Sequence, residues 1–347
     1  MHTTSESPSP TQLRELARLR NGYMVSHAMF VVAKLGIADH LIDGPEGSDE
    51  LARSTGTHAA TLDRVLRFLS SVGIFTEIAP RRFALTSLGS GLRSDIPGSI
   101  QPMTVLVSHE SIQQAWGQLL HTVQTGDISF DHVQGMGFFD YIGEHPDVAA
   151  LFHQAMTGAA VSSSSETAVA TVYDFSSMHR IVDVGGGEGR LLASILHAYP
   201  TLRGILFDRP EVVANAPEVL AAAGVAERCE IVGGDFFAAI PAGGDGYLLQ
   251  QIIHDWDEPR AVAILRQCRR AMSASSTLLV VEVAIPKDAG HASPVLETDM
   301  QMMVLAGGIQ RTDAGYRALF AETGFRLTTI VPLGDASGYS IFEGVPI

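Results

Sequence analysis

Four short segments between residues 182 and 256 carry side chains that could do chemistry. In chain order they are Val182-Asp183-Val184-Gly185-Gly186-Gly187-Glu188-Gly189, then Asp208, then Gly234-Asp235-Phe236-Phe237, and finally His254-Asp255-Trp256. Each segment follows an apolar stretch that predicts a β-strand. The carboxyl ends of parallel strands meet at one edge of a sheet, where ligands bind. The spacing therefore predicts a site built from three acidic side chains and a histidine.

The glycine-rich turn favours a ligand other than a dinucleotide. Such a turn after a first strand brings backbone N–H groups and a helix N-terminus towards a ligand. Gly185 and Gly187 fit the dinucleotide fingerprint, but Arg190 occupies the position of its third glycine. Asp183, directly before the turn, is unusual for a dinucleotide site and suits the ammonium group of a methionine moiety.

The next two acidic positions extend this interpretation. Asp208 ends the second predicted strand and could accept hydrogen bonds from both ribose hydroxyls, as acids in NAD sites also do. Asp235 ends the third strand and could accept from an adenine amino group, while Phe236 covers the base. Any one of these acids alone is more often a solvated loop residue or a helix cap. Their occurrence at three consecutive strand ends predicts S-adenosylmethionine as the cofactor.

His254 follows the fourth strand at the same edge and could act as a base. A phenol has a pKa of about 10, so a neutral imidazole that removes its proton could contribute about 10²–10⁴-fold in rate. Glu282 ends the fifth strand, where it could fix the tautomer of the histidine and stabilise the imidazolium. The alternatives are that His254 caps the next helix or pairs structurally with Asp255, and that Glu282 is a strand-end charge facing solvent.

Length and composition limit the classes of protein to which the chain can belong. The 347 residues leave room for two domains, and 46% hydrophobic with 18% charged residues is ordinary for a globular chain. No apolar run reaches the length of a membrane span, and the best candidate, 278–286, is interrupted by Glu282, so we expect no membrane association. The N-terminus lacks the pattern of a secretory signal. Only Cys229 and Cys268 are present, which predicts a cytoplasmic protein without disulfides or a cysteine-based zinc site, and we expect no metal.

The charge is distributed unevenly along the chain. Residues 1–100 hold 10 basic and 10 acidic side chains, and the remainder carries the whole formal net charge of −15. An acidic chain repels phosphate backbones, so we expect no nucleic-acid partner. A cationic sulfonium cofactor, by contrast, is compatible with this charge.

Three regions follow from the periodicity. Residues 11–103 show the order helix, turn, helix, hairpin of a winged-helix-like domain. Residues 104–172 predict a helical linker and pocket region, and 173–347 alternate strands with helices, which indicates a doubly wound, Rossmann-like parallel sheet. The predicted strands are 181–184, 204–207, 229–232, 246–250 and 277–281, with a hairpin at 326–332 and 338–342. The predicted helices between them are 190–198, 211–223, a weak one at 238–240, and 259–272.

Taken in order, these motifs resemble those of the caffeate/flavonoid-type small-molecule O-methyltransferases, in particular the bacterial branch that modifies aromatic antibiotics. The resemblance covers roughly residues 15–345 and includes Asp208-Arg209-Pro210 and Gly307-Gly308-Ile309-Gln310-Arg311-Thr312. It implies a class I methyltransferase fold and methylation of a hydroxyl on an aromatic substrate. It also implies a homodimer formed through the N-terminal domains.

The resemblance implies further site residues. It places His254 as the base and Asp255 beside it, Arg209 and Gln250 near the cofactor, and Trp256 near the adenine. The implied substrate-lining residues are Phe152, Met156, Met300 and Met303, for which plain core packing is the competing interpretation.

One departure from the family pattern bears on the chemistry. Gln310 stands where the family usually has a second glutamate beside the histidine. An amide could orient the imidazole but carries no charge to stabilise imidazolium, unless Glu282 or Asp255 compensates. This leaves open an N-methyltransferase or a non-methylating enzyme on the same scaffold. A winged-helix DNA-binding regulator is a remote alternative that the charge distribution disfavours.

Overall fold

The computed structural model describes residues 7–163, 165–286, 294–334 and 338–347, with the side chains of 160–166 excepted. The chain forms two compact units. One consists of Met1–Gln113 and Pro146–Ser162, and the other of Gln114–His145 and Ser163–Ile347. The predicted linker 104–172 is thus shared between the units, and the predicted boundaries at 103 and 172 stay predictions.

The helices and strands of the described residues are these. The helices are α1 (Pro10–Arg20), α2 (Gly22–Lys34), α3 (Ile37–His40), α4 (Ser48–Thr55), α5 (Ala59–Ser71), α6 (Gln101–Val107), α7 (Glu110–Trp116), α8 (Leu119–Thr125), α9 (Ser129–Gln134), α10 (Phe138–Glu144), α11 (Pro146–Ser163), α12 (Ser165–Val172), α13 (Arg190–Ala198), α14 (Pro210–Val213), α15 (Ala216–Ala222), α16 (Glu258–Ala271), α17 (Pro294–Leu305) and α18 (Asp313–Glu322). The strands are β1 (Glu46–Gly47), β2 (Phe75–Ala79), β3 (Arg82–Leu85), β4 (Arg180–Val184), β5 (Arg203–Asp208), β6 (Cys229–Gly233), β7 (Gly246–Gln250), β8 (Thr277–Val283), β9 (Phe325–Pro332) and β10 (Tyr339–Pro346). Short 3-10 helices occur at Gly89–Leu92, Ala226–Arg228 and Ile253–Asp255.

The first unit is helical with a small antiparallel sheet of order β1-β3-β2. Its core is an apolar cluster that includes Leu51 of α4, Leu66 of α5 and Phe83 of β3. Helix α4 ends at Gly56 in the left-handed conformation with φ 66°, as glycine permits at a helix C-terminus. The succession α4, α5, β2, β3 is the helix, helix, hairpin order that the sequence predicts. No helix among the described residues is both long and apolar enough to cross a membrane.

The second unit is built on a seven-stranded sheet of order β6-β5-β4-β7-β8-β10-β9. Strands β4 to β8 pair in parallel, and β10 pairs antiparallel with both β8 and β9. Strands β4, β7 and β8 are almost wholly buried, which explains their continuous apolar sequences, since parallel strands are covered on both faces. Two apolar clusters, one per face, form the core. The predicted fold class is confirmed.

The predicted helices of this unit need two corrections. The weak helix at 238–240 is wrong, because Phe236–Ala238 form a turn in which Asp235 accepts from the N–H of Phe237 at 2.8 Å, and Pro241 follows directly. The single helix predicted over 211–223 is two helices, α14 and α15. Pro217 lies in the first turn of α15, where proline is tolerated and starts a new helix rather than continuing one.

Gly89 in the first 3-10 helix tests the packing of the first unit. A Cβ at this position would overlap the carbonyl oxygen of Ile74 and lie 3.1 Å from Leu85 Cδ1. Gly89→Ala should therefore destabilise this unit by about 1–3 kcal/mol. Gly91→Ala in the same helix is the matched control, since a Cβ there has nothing within 4 Å. Thermal unfolding should show a lowered melting temperature for the first variant only, and equal melting temperatures would contradict the packing described.

Candidate active site

The turn after β4 requires glycine for its backbone geometry. Gly185, Gly187 and Gly189 have φ values of 71°, 59° and 82°, a region that L side chains rarely adopt. A Cβ on Gly185 would also lie 2.5 Å from Ile252 Cδ1, on the segment that follows β7. The backbone N–H of Gly187 donates to Asp208 Oδ2 at 2.8 Å. The turn is thereby fixed to the end of the neighbouring strand β5.

The three predicted acids lie at the carboxyl ends of β4, β5 and β6. Asp183 is buried within β4, and a Cβ on Gly186 would lie 2.5 Å from its Oδ2, so its carboxylate lies against the glycine turn. Asp208 Oδ1 accepts from the N–H of Arg209 at 2.7 Å. Burial raises the pKa of Asp208, and the hydrogen bonds from Arg209 and Gly187 only partly offset this. Asp235, by contrast, is exposed.

An aromatic cluster surrounds Trp256 at the same edge. Its ring lies 5.9 Å from the ring of Phe236, 4.9 Å from Phe237 and 5.4 Å from Phe139. The guanidinium of Arg260 stands 5.3 Å from its centroid. The buried indole nitrogen of Trp256 has no hydrogen-bond partner in the described part of the chain. The cluster thus offers apolar ring surface together with an unused N–H donor.

Phe139 is part of this cluster although the sequence interpretation did not include it. It lies more than a hundred residues before Trp256, and its carbonyl accepts from the guanidinium of Arg209 at 3.0 Å. The only local signal was the aromatic pair that follows the glycine pair Gly135 and Gly137. Arg260 was also missed, because a basic residue in the first turn of α16 is not by itself distinctive.

The imidazole of His254 lies between two carboxylates. Its Nδ1 is 2.8 Å from Glu282 Oε2, and its Nε2 is 3.1 Å from Asp255 Oδ1. The other oxygen of Glu282 accepts from the backbone N–H groups of Ile253 at 3.0 Å and of His254 at 3.2 Å. Glu282 is fully buried. It therefore positions both the ring and the backbone of the 3-10 turn that carries the histidine.

These contacts change the ionisation of the histidine. Burial alone would lower the pKa of His254, but the two carboxylates outweigh this effect and raise it well above its ordinary value of 6.5. Burial also raises the pKa of Asp255, and the neighbouring imidazole opposes part of that rise. The two carboxylates therefore favour the imidazolium form of His254.

The loop from Gly307 to Arg311 contacts the backbone of the 3-10 turn that carries the histidine. A Cβ on Gly308 would overlap the carbonyl oxygen of His254, and the N–H of Ile309 donates to that same oxygen at 2.9 Å. Arg311 donates to the carbonyl of Ile253 at 3.1 Å and pairs with Glu258 at 2.8 Å. Sequence reasoning noted this segment only as a family motif. Its role in holding the 3-10 turn becomes visible only in three dimensions.

Gln310 is buried in the same loop. Its backbone N–H donates to Asp299 Oδ1 at 2.8 Å. Its side-chain carbonyl oxygen is buried and has no hydrogen-bond partner among the residues described. The two contacts to the imidazole nitrogens that the structure gives are those of Glu282 and Asp255, and not of this amide.

The other predicted residues lie in different places. Gln250 is the last residue of β7, directly before Gln251, which has a positive φ of 54°. Met300 and Met303 lie on α17 of the second unit, and Met300 is 37% exposed. Phe152 and Met156 lie on α11 in the first unit, both half-buried.

Comparison with known proteins places the chain in a family. The profile of the O-methyltransferase domain matches residues 116–326, and that of the O-methyltransferase dimerisation domain matches residues 17–95. The chain belongs to the O-methyltransferase family. The predicted family is thereby confirmed, and the protein is a methyltransferase of the aromatic natural-product type.

Particular relatives extend over nearly the whole chain. The phenazine O-methyltransferase of Lysobacter antibioticus is 43% identical, with 96% of each chain covered. The phenazine-1-carboxylate N-methyltransferase of Pseudomonas aeruginosa is 32% identical and covers 92% of this chain and 94% of its own. The structure of the mitomycin 7-O-methyltransferase matches with a TM-score of 0.91 at 37% identity, covering 96% of this chain and 97% of that one.

One solved relative was determined with ligands bound. It is an O-methyltransferase from neocarzinostatin biosynthesis in complex with S-adenosylmethionine and 2-hydroxy-5-methyl naphthoic acid. It matches with a TM-score of 0.83 at 32% identity, covering 93% of this chain and 96% of that one. The methyl donor predicted from the strand-end acids is therefore bound by a relative of this chain.

Replacing Glu282 tests the ion pair. In Glu282→Gln the amide can still accept from the two backbone N–H groups, but it removes the charge that favours imidazolium. We expect the pKa of His254, measured by NMR, to fall, and turnover to fall by about 10²-fold or more. Because the pKa of His254 is higher in the folded protein than in the unfolded chain, its interaction with the carboxylates stabilises the fold fully below about pH 6.5. This stabilisation is lost as the pH rises through the raised pKa.

The loss of melting temperature in Glu282→Gln should accordingly be largest at acid pH and shrink as pH rises. Glu258→Gln, which removes a carboxylate that pairs with Arg311 and not with the histidine, serves as the control. An unchanged His254 pKa in Glu282→Gln would show that Glu282 does not set the charge of the imidazole.

Proposed function

We propose that this chain transfers a methyl group from S-adenosylmethionine to a hydroxyl of an aromatic small molecule in secondary metabolism, such as antibiotic biosynthesis. The observation that carries the proposal is the imidazole of His254, paired with Glu282 at 2.8 Å and set at the strand edge that also bears the glycine turn. A hydroxyl methyltransferase needs a proton acceptor at that position. The relatives named as O-methyltransferases support this assignment.

The residues at the strand edge fit the cofactor. Gly185, Gly186, Gly187 and Gly189 have no side chains that would keep a ligand from the turn, and Asp208 already accepts two backbone N–H groups there. The unused indole N–H of Trp256 lies in a cluster of rings that suits a purine. The residues proposed to hold the cofactor are Asp183, Gly185, Gly187, Asp208, Arg209, Asp235, Phe236, Gln250 and Trp256. When bound, the cofactor would supply a methyl group on a positively charged sulfur, and the neutral thioether left after transfer is a good leaving group.

His254 is the proposed general base. The hydroxyl proton ends on Nε2, because Nδ1 faces Glu282, whose negative charge stabilises the imidazolium that forms. Gln310 carries no charge, but Asp255 and Glu282 supply two carboxylates that can stabilise the imidazolium in its place. An O-acceptor is therefore compatible with glutamine at this position.

The acceptor and the assembly complete the proposal. Met300 and Met303 on α17 of the second unit are the proposed apolar surface for a planar substrate, and the roles of Phe152 and Met156 stay predictions. The match of residues 17–95 to a dimerisation domain supports a homodimer formed through the N-terminal region. The proposed compartment is the cytoplasm, on the grounds of the two free cysteines Cys229 and Cys268.

N-methylation is the second candidate. A relative named for N-methylation aligns over 92% of this chain, and a neutral amine nitrogen needs no strong base to attack. The paired carboxylates on His254 favour the hydroxyl, because a buried ion pair of this kind has no evident use when the acceptor is a neutral amine. Comparing a phenol with an aromatic amine of the same ring system would separate the two.

Cofactor binding gives the direct test of the class. Adding S-adenosylhomocysteine should raise the melting temperature, by the amount expected from ligand binding to the native state alone. Asp208→Asn should reduce the shift, since the carboxylate is the proposed ribose ligand, while Asp174→Asn, on an exposed loop, should leave it unchanged. The absence of any shift at saturating ligand would end the assignment.

Turnover of His254→Ala tests the base. We expect methyl transfer from methyl-labelled cofactor to a phenolic acceptor to fall by about 10²-fold or more. The melting shift with S-adenosylhomocysteine should persist, because the imidazole does not hold the cofactor in this proposal. Undiminished turnover would mean that positioning of the acceptor alone suffices.

A further inference from the structure

Asp255 occupies the nitrogen of His254 on which a general base would have to act. Nδ1 is taken by Glu282 at 2.8 Å, and Asp255 Oδ1 stands 3.1 Å from Nε2. The side chain of His254 is 13% exposed, and that of Asp255 is 18% exposed. The carboxylate of Asp255 is therefore partly in contact with solvent, whereas Glu282 is fully buried and bonded to two backbone N–H groups.

We propose that Asp255 is a latch on His254: it holds Nε2 in the empty enzyme and is displaced by the acceptor oxygen, so that the enzyme selects acceptors with acidic hydroxyls. This inference rests on the proposed function, and it adds the ionisation state in which the acceptor is bound. Asp255 acts through His254 and is a positioning residue rather than a group that reacts.

The proton balance gives the latch its selectivity. In the empty site Nε2 carries a proton that points to Asp255. An incoming hydroxyl brings a second proton, and only one of the two can lie between Nε2 and the acceptor oxygen. The other leaves to water, so acceptor binding releases one proton. A more acidic hydroxyl makes this release less costly and binds more tightly.

Methyl transfer then resets the latch. A lone pair of the acceptor oxygen forms the bond to the methyl carbon, and the electron pair of the broken carbon–sulfur bond stays on the sulfur, which becomes a neutral thioether. The proton remains on Nε2. The product is an uncharged ether that competes poorly with a carboxylate for an imidazolium. Asp255 therefore regains Nε2, which favours release of the product.

Other charged groups near His254 do not replace Asp255 in this role. Arg311 donates to the carbonyl of Ile253 and pairs with Glu258. Asp299 on α17 accepts from the backbone of Gln310. The phenol of Tyr316 on α18 is buried, and burial together with Glu282 raises its pKa well above 10.0, so it stays neutral. Among the described residues, Glu282 is therefore the other carboxylate in contact with the imidazole, and it faces the opposite nitrogen.

The first experiment measures the charge of His254 without any acceptor. NMR of isotope-labelled histidine, in enzyme saturated with S-adenosylhomocysteine, should show His254 still as imidazolium at about pH 7.5, roughly one unit above its ordinary pKa. Asp255→Asn removes the carboxylate and should move the titration of His254 to lower pH. Asp257→Asn is the matched control, because Asp257 caps α16 and pairs with Arg260 without contacting the histidine.

The same experiment can overturn the latch. A His254 that is already neutral at that pH of about 7.5 in the wild-type enzyme contradicts it without any variant. So does an unchanged titration in an Asp255→Asn protein whose melting temperature still rises with S-adenosylhomocysteine.

The second experiment measures acceptor binding by the absorbance of 4-nitrophenol, whose phenolate is coloured. The wild-type enzyme with S-adenosylhomocysteine should bind it as the phenolate, with release of a proton at a pH where the free phenol is un-ionised. Asp255→Asn lacks the competing carboxylate, so its affinity should rise about tenfold, the order of one charge-assisted hydrogen bond. An affinity no higher than that of the wild type or of Asp257→Asn would overturn the displacement.

The pH profile separates a latch from a merely structural role. The acid limb of kcat/KM reports the free enzyme's base, and it should move to lower pH in Asp255→Asn and stay in place in Asp257→Asn. A uniform loss of activity with an unmoved limb would mean that Asp255 is only structural. If S-adenosylhomocysteine binds and His254 titrates as expected but no hydroxyl is methylated, the proposed function fails while the latch stands.

Discussion

The buried carboxylate of Glu282 is the constraint on which the active-site edge depends. A carboxylate without exposure to water costs several kcal/mol unless it is paired and hydrogen-bonded, and losing its partner typically costs about 3–5 kcal/mol. Here one oxygen accepts from the N–H groups of Ile253 and His254, and the other faces the imidazole. Glu282 therefore contributes at once to the 3-10 turn, to the orientation of the ring and, together with Asp255, to the charge of the histidine.

The sheet explains why this group can be placed so accurately. Strand β8 pairs in parallel with β7 on one side and antiparallel with β10 on the other, with Glu282 opposite Ser340. Paired on both edges, β8 has little freedom to shift, and the carboxylate at its end inherits that rigidity. The His254 turn leaves β7 through Gln251, whose positive φ of 54° is unfavourable for a side-chain-bearing residue. Such a conformation persists where surrounding contacts determine it, and the Glu282 and Ile309 hydrogen bonds provide those contacts.

Much of this edge could be predicted from the sequence, because its signals are local. Apolar runs such as 181–184 and 277–281 mark strands buried on both faces, and the first polar residues after such runs fall at the carboxyl edge of the sheet. That reasoning located Asp183, Asp208 and Asp235 correctly at three strand ends, and it placed His254 and Glu282 on one edge. The resemblance added the family. The predicted fold class and the predicted family were both confirmed.

What the sequence did not reveal depends on contacts between distant segments. Nothing near Phe139 indicates that its ring would meet Trp256, and Gly308 reveals its importance only when the carbonyl of His254 lies against it. The helix predicted at 238–240 failed for a local reason, since the side chain of Asp235 offers the backbone a turn in place of a helix. The strand order, with β10 inserted between β8 and β9, also follows from packing rather than from any motif.

The substitution at Gln310 gains a physical meaning from this geometry. Glu282 and Asp255 already place two carboxylates on the imidazole, and glutamate at 310 would add a third to the loop that bonds to the His254 turn, at a buried position. Like charges in a buried site raise one another's pKa values, so one of the three would be protonated or displaced. An amide at 310 avoids this conflict, and among the described residues Glu282 and Asp255 remain the two carboxylates paired with the ring. Glutamine at 310 and the contact of Asp255 with Nε2 are then related, because together they keep the number of carboxylates paired with His254 at two.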